Sequence, residues 1–218
     1  MKPQLFSKRT AGISLFEVGI VIAVVMISFA VLAPILFQTR RGSSRIGCNN
    51  NIKQIELAGK IWAGDNNDVY PMGISVTNGG SMELTAAGNV AATFLVMSNE
   101  LSTPRILLCP QDVARFAIND FGGLSNSNVS YFISADMTND MNPQMIFSGD
   151  SDLMLGGKLL SPGLAALGTN DPVTWSGTRH PNSGNIALAY GGVETTTAFR
   201  LRDYLQKTGL VTNRLALP

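Results

Sequence analysis

VGIVIAVVMISFAVLAPILF, residues Val18–Phe37, is a run of twenty residues without a charge, and Ser28 is its only polar side chain. A helix rises about 1.5 Å per residue, so a run of this length spans roughly 30 Å, the hydrocarbon thickness of a bilayer. Lys2, Lys8 and Arg9 precede it, and Arg40, Arg41 and Arg45 follow it. Because each flank carries three basic residues, the charge bias between the two sides leaves orientation open. A core helix of a soluble protein has no need of an apolar run this long with basic flanks. A cleaved secretory signal is the stronger rival, with its best site after Ala33. Pro34 would then follow the cut and block signal peptidase, and the run exceeds the usual apolar core of about 7–15 residues. A membrane-spanning helix is the expected element.

Outward from this run the composition changes. Of the 218 residues 45% are hydrophobic and 14% charged, with a net charge of +1. The charged fraction is low against the roughly 25% usual in soluble domains. The near-neutral balance excludes the basic excess of a typical nucleic-acid binder, so no nucleic acid is expected as a partner. A single histidine excludes sites that need two, and two cysteines exclude a four-thiolate zinc site or a disulfide-dense miniprotein. The sign of charge is unevenly distributed. Residues 1–60 hold eight basic and two acidic side chains, whereas 66–178 hold three basic and ten acidic. The chain has a basic, membrane-like beginning and an acidic, Asn/Gly-rich middle.

Glu17 stands at the head of the apolar run, after Ile13-Ser14-Leu15-Phe16. A carboxylate entering a membrane costs about 2.5–3.5 kcal/mol on insertion scales, so it needs a partner. Ala11-Gly12-Ile13-Ser14-Leu15-Phe16-Glu17, after a short basic leader, resembles the signal of type IV prepilins and type II secretion pseudopilins. The resemblance implies that a prepilin peptidase cuts after Gly12 on the cytoplasmic side and that Ile13 becomes an N-methylated first residue. Glu17 would then serve assembly by neutralising the Ile13 amine of a neighbouring subunit in apolar surroundings. Ile13 departs from the phenylalanine most common there. The pattern Gly-x-x-x-x-Glu is weak alone; joined to the basic leader and the apolar run it is specific.

Beyond the span, Arg40-Arg41-Gly42-Ser43-Ser44 reads as a softened stretch, with Gly42 a candidate melting point. Pro34, which lacks an amide hydrogen, is expected to bend the helix. Cys48, Ile52, Ile55, Gly59 and Trp62, spaced 4, 3, 4 and 3, form one helical face, with Asn50, Lys53, Glu56 and Lys60 mainly off it. The helix is expected to end near Asp65-Asn66-Asn67-Asp68. Further on, Val129–Ser134, Gln144–Ser148, Asn185–Tyr190 and Val193–Phe199 read as strands, with a two-residue turn at Gly191-Gly192. Phe199–Thr208 reads as a short amphipathic helix capped by Gly209. The expected fold class is α+β, a long N-terminal helix packed on an antiparallel sheet.

Cys48-Asn49-Asn50-Asn51-Ile52-Lys53-Gln54 extends the resemblance to a pseudopilin-like subfamily that continues Cys-x-Asn-Asn-Leu-Lys-Gln. Cys109-Pro110-Gln111-Asp112 resembles its Cys-Pro-Ser-Asp element, with Gln111 in place of serine. His180, nine residues, Tyr190-Gly191 resembles its closing His-x9-Asp-Gly, with Tyr190 in place of the aspartate. These motifs touch the start, the centre and the last quarter of the chain. The topology they imply is single-pass in a bacterial inner membrane, with a cytoplasmic N-terminus and a periplasmic head. It divides the chain into a leader (1–12), an assembly helix (13–37), its amphipathic continuation (38–65) and a head (66–218). Cys48 and Cys109 would then both lie where disulfides persist. A bond would close about sixty residues and contribute about 4 kcal/mol by loop entropy; two buried free thiols are the alternative.

Signatures of catalysis are scarce. No Gly-x-Ser-x-Gly, His-Glu-x-x-His or Ser-x-x-Lys occurs in the exported part, and Gly156-Gly157-Lys158 lacks the rest of a P-loop. His180 reads as a loop or packing histidine. Asp65, Asp68, Asp150 and Asp152 offer hard oxygen ligands and, by the resemblance, calcium; turn and capping chemistry explains the same residues. No other cofactor is expected. The expected function is a non-enzymatic pseudopilin-like subunit that joins other pseudopilin subunits in a type II secretion or type IV pilus-like fibre. A surface-displayed binding module and an anchored periplasmic enzyme are the rivals.

Overall fold

The first helix, α1 (Leu15–Asp65), carries both apolar patterns seen in the sequence. The computed structural model describes residues 15–139 and 141–218, and of residues 34–43 the backbone alone. Gly12 and Ile13 lie outside the described residues. The chain divides into two compact units, residues 1–43 and 44–218.

In the first unit, Leu15–Ala33 is long and apolar enough to cross a membrane, with a mean hydropathy of 2.7. Its side chains from Leu15 to Leu32 are exposed. The one polar side chain of the run, Ser28, gives its hydroxyl hydrogen to the Val24 carbonyl at 2.8 Å and so needs no solvent partner. The helix is continuous through Gly42, where a softened stretch was expected, and through Pro34. A glycine costs a helix only about 1 kcal/mol relative to alanine, too little to break a helix this long.

The second unit begins with the C-terminal part of α1. Cys48, Ile52, Ile55 and Ala58 are buried and Trp62 nearly so, and they form the core with the sheet residues Tyr131, Ile133 and Phe147. Gly59 belongs to the same face, where an added Cβ would stand 2.6 Å from the Phe147 ring. The absence of a side chain lets helix and sheet approach. Glu56, placed off the stripe by sequence, is buried at its edge and paired with Lys60 at 3.2 Å. Burial raises the Glu56 pKa, and Lys60 works against that rise.

Three short helices follow, α2 (Met82–Ala86), α3 (Val90–Val96) and α4 (Ser98–Leu101). The strands are β1 (Tyr131–Ser134), β2 (Ile146–Asp150), β3 (Leu153–Leu155), β4 (Lys158–Leu159), β5 (Gly163–Gly168), β6 (Val173–Trp175), β7 (Ser183–Leu188), β8 (Val193–Thr197) and β9 (Thr212–Leu217). A last helix, α5 (Ala198–Lys207), lies between β8 and β9. One sheet has six strands in the order β5-β9-β1-β2-β7-β8, and a second has three in the order β4-β3-β6. Every pairing is antiparallel. The large sheet packs Tyr131, Ile133 and Ala187 towards the α1 core, and Phe132, Ile186 and Leu188 into a second core with Trp175, Leu201 and Leu205. Both faces are covered, so β1, β2 and β7 are buried at every residue rather than alternately.

The β7–β8 turn differs from the expected Gly-Gly pair. The Gly191 amide donates to the Leu188 carbonyl at 2.9 Å, which makes Ala189 and Tyr190 the central residues. Gly191 follows at φ 97°, a left-handed conformation that favours glycine. This is a four-residue turn closed by a left-handed glycine, one of the common longer hairpin connections. Gly191 rests on α1, where an added Cβ would lie 2.9 Å from Lys60 Nζ.

Candidate functional site

The motifs at Cys48, Cys109–Asp112 and His180 lie far apart in sequence and meet at one place. Cys48 Sγ and Cys109 Sγ are bonded, with their Cα atoms 5.0 Å apart. The bond joins α1 to the turn that follows Leu107 and Leu108. That turn is closed by the Asp112 amide donating to the Cys109 carbonyl at 2.9 Å. Two consecutive residues then hold it from the other side. Arg179 Nη2 reaches Asp112 Oδ2 at 2.7 Å, and His180 Nε2 lies 3.7 Å from Cys109 Sγ. The nine residues after His180 carry the chain along β7 to Tyr190 and Gly191. The spacing is thus the length of one strand with its connections, and it places His180 and Tyr190 at opposite ends of that strand.

Asp112 is the hub of a buried ion network. It also accepts from Arg115 Nη1 at 3.1 Å and from Ser130 Oγ at 2.8 Å. Arg179, 9% exposed, gives its other hydrogens to the Ser130 carbonyl at 2.7 Å and to Ser151 Oγ at 3.2 Å. Burial opposes the charge on Asp112, but Arg179, Ser130 and Arg115 together outweigh it and hold the carboxyl below the usual range. Nothing in local sequence pattern distinguishes Asp112 or Arg179 as buried; the Cys-Pro-x-Asp element was the one available signal. A cavity of about 420 Å³ adjoins the network and is lined in part by Arg115, Asp152, Leu159 and Leu217. The charges of Asp112, Arg115 and Arg179 beside it are already bonded to one another.

The four carboxylates considered for calcium separate into two settings. Asp65 and Asp68 are exposed where α1 ends. There the Asp68 amide and Asn66 Nδ2 donate to the Ala63 and Trp62 carbonyls at 2.9 and 2.8 Å, which is helix-end turn chemistry. Asp150 and Asp152 are buried beside the Arg179 network. Asp150 Oδ2 accepts from the Asn185 amide at 2.7 Å and from Asn185 Nδ2 at 2.9 Å. Asp152 Oδ2 accepts from Ser176 Oγ at 3.0 Å.

His180 is fully buried and faces the disulfide; among the described residues no serine hydroxyl bonds to it. Burial, with Arg45 and Arg179 nearby, lowers its pKa to about 4. Burial, with Asp152 nearby, pushes the Asp150 carboxyl up to about 7 against the pull of Asn185 and Arg179. Nε2 and Asp150 Oδ2 are 3.6 Å apart, within ion-pair range. Full burial nevertheless favours the pair with both members uncharged. The two shifts act on stability in opposite directions. The raised Asp150 pKa stabilises fully below about pH 4, and that contribution is lost as pH rises through about 7. The lowered His180 pKa stabilises fully above about pH 6.5, and that contribution is lost as pH falls through about 4. They offset one another in between. Asp150→Asn is therefore expected to make stability fall on acidification from pH 6.5 to 4. His180→Gln is expected to make it fall on alkalinisation from pH 4 to 7. Each slope is up to about 1 kcal/mol per pH unit. Urea midpoints of the two variants across this range check the sign; parallel profiles would contradict the assignment.

Tyr190 lies away from this cluster, half-exposed at the turn, and donates its hydroxyl to Glu194 at 3.1 Å. As a central turn residue it needs no carboxylate to form the hairpin. At the other end of the chain, Glu17 occupies the first turn of α1, where a negative charge complements the helix dipole. No known protein family, curated protein or solved structure matches the chain.

Proposed function

We propose that the protein is a non-enzymatic pseudopilin-like subunit that assembles through its N-terminal helix into a type II secretion or type IV pilus-like fibre. The observation that carries this reading is the segment Leu15–Ala33. It is an apolar helix with every side chain from Leu15 to Leu32 exposed and with one carboxylate, Glu17, in its first turn. Such a surface must be covered by lipid or by like helices, and a carboxylate at the head of an apolar span suits an assembly contact with a positive group of a neighbouring subunit. Cleavage of the leader after Gly12 would supply such a positive group, the new amine of Ile13. Partners are thus a prepilin peptidase, the inner membrane and other pseudopilin subunits.

The head is a cross-linked platform in this reading. Its buried ion network and disulfide tie the turn at Cys109–Asp112 to the Cys48 end of α1 within the second unit. Cleavage is the first step to test. Gly12→Leu places a bulky side chain where the peptidase accepts glycine, and the leader is expected to remain attached to a membrane-bound chain. Loss of residues 1–12 from Gly12→Leu, read by intact mass, would show that cleavage does not depend on Gly12 and would contradict the assignment of this site to a prepilin peptidase.

A further inference from the structure

The His180 ring, fully buried, makes no hydrogen bond of ordinary length. Among the described residues its Nδ1 has no partner, and its Nε2 lies between Cys109 Sγ at 3.7 Å and Asp150 Oδ2 at 3.6 Å. Those two separations are close to the edges of a tetrahedral zinc site. With Zn–S of about 2.3 Å and Zn–N or Zn–O of about 2.0–2.1 Å, neighbouring ligand atoms stand about 3.6 Å apart for S and N and about 3.3 Å for N and O. The ligand atoms of Cys48, Cys109 and His180 all lie within 4.8 Å of one another. Asn185, by donating twice to Asp150 Oδ2, holds that carboxylate in place as an outer partner.

We propose that, when the Cys48–Cys109 bond is reduced, Cys48 Sγ, Cys109 Sγ and His180 Nε2 bind one Zn²⁺ ion, with Asp150 Oδ2, 3.6 Å from Nε2 and outside that three-residue group, as the nearest carboxylate for the fourth position. A dithiol reductant supplies two electrons and two protons to the S–S bond and leaves as its own disulfide. The two sulfurs then part to the roughly 3.8 Å S–S edge of tetrahedral zinc. Zinc displaces the two thiol protons, and any proton on Asp150, to solvent without changing its own oxidation state. Two thiolates, one carboxylate and Zn²⁺ leave a single negative charge, which the nearby Arg45 and Arg179 offset. The head therefore has two alternative cross-links at one point, a disulfide when oxidised and a metal when reduced. The inference is independent of the assembly role.

The test uses the full chain in detergent, either oxidised or reduced anaerobically with a dithiol, then given Zn²⁺ and freed of excess metal. The reduced chain is expected to retain one zinc per chain and the oxidised chain none. Co²⁺ in place of zinc is expected to show a thiolate-to-metal charge-transfer band. Zinc is expected to raise the melting midpoint of the reduced chain and to leave that of the oxidised chain unchanged. His180→Ala is expected to weaken zinc binding by at least the roughly 10- to 100-fold seen when an outer partner is lost. The same variant, oxidised, still shows the Cys48–Cys109 bond by peptide mass, which separates loss of a ligand from loss of fold. Equal zinc retention by reduced and oxidised chains, or undiminished affinity in His180→Ala, would overturn the proposal.

Discussion

Asp112→Ala is expected to destabilise the head by about 3–5 kcal/mol, the cost typical of removing one partner from a buried ion pair. Asp112 neutralises Arg179 at 2.7 Å and Arg115 at 3.1 Å, and Arg179 is almost wholly buried. Without the carboxylate, two guanidinium groups are left close together and lose their directly bonded acid, with Asp152, whose charge burial opposes, as a remaining negative neighbour. The hydroxyl of Ser130, which donates to Asp112 at 2.8 Å, loses its acceptor as well. Asp203→Ala is the matching control. Its pair with Lys207 is exposed, at 2.7 Å, and is worth a few tenths of a kcal/mol to about 1 kcal/mol. Chemical denaturation of the detergent-solubilised chain measures both. A loss under about 1 kcal/mol in Asp112→Ala would mean that the network is not what holds the Cys109–Asp112 turn.

The second large effect concerns assembly. Glu17→Val lengthens the apolar run and removes its only carboxylate, so insertion into the membrane is expected to be as good or better. Cleavage is expected to continue, because Gly12 and the leader are unchanged. In the proposed assembly role, what disappears is the partner for the Ile13 amine of a neighbouring subunit. An uncompensated charge in an apolar filament interior costs several kcal/mol at every subunit added. The variant is therefore expected at normal abundance and with normal processing, yet absent from sheared filaments and from subunit cross-links. Wild-type incorporation would shift the weight to an anchored binding module.

What could be read from the sequence depended on the range of the interaction that decides each feature. The stripe Cys48, Ile52, Ile55, Gly59 and Trp62 announces a buried helical face because helical periodicity is local, and all five are buried. Val129–Ser134 and Asn185–Tyr190 were visible as apolar runs, but their register and the covering of both faces were not. A strand buried on both sides loses the alternation that would mark its inner face. Strands as short as Lys158–Leu159 and Leu153–Leu155 carry too few residues for any period. The connection after β7 was placed two residues late, at Gly191-Gly192. Both glycines tolerate positive φ, and only the Gly191-to-Leu188 hydrogen bond shows Ala189 and Tyr190 at the centre. The ion network was hidden for another reason. Asp112, Arg115 and Arg179 look like ordinary surface charges until tertiary packing brings residues 67 positions apart within 2.7 Å.

The central claim, that this is a processed assembly subunit, rests on its first mature residue. N-terminal sequencing with intact mass of the membrane-extracted chain reads that residue directly. The account predicts a start at Ile13 carrying one added methyl group on its amine. An intact Met1, or a start after Ala33, would contradict it.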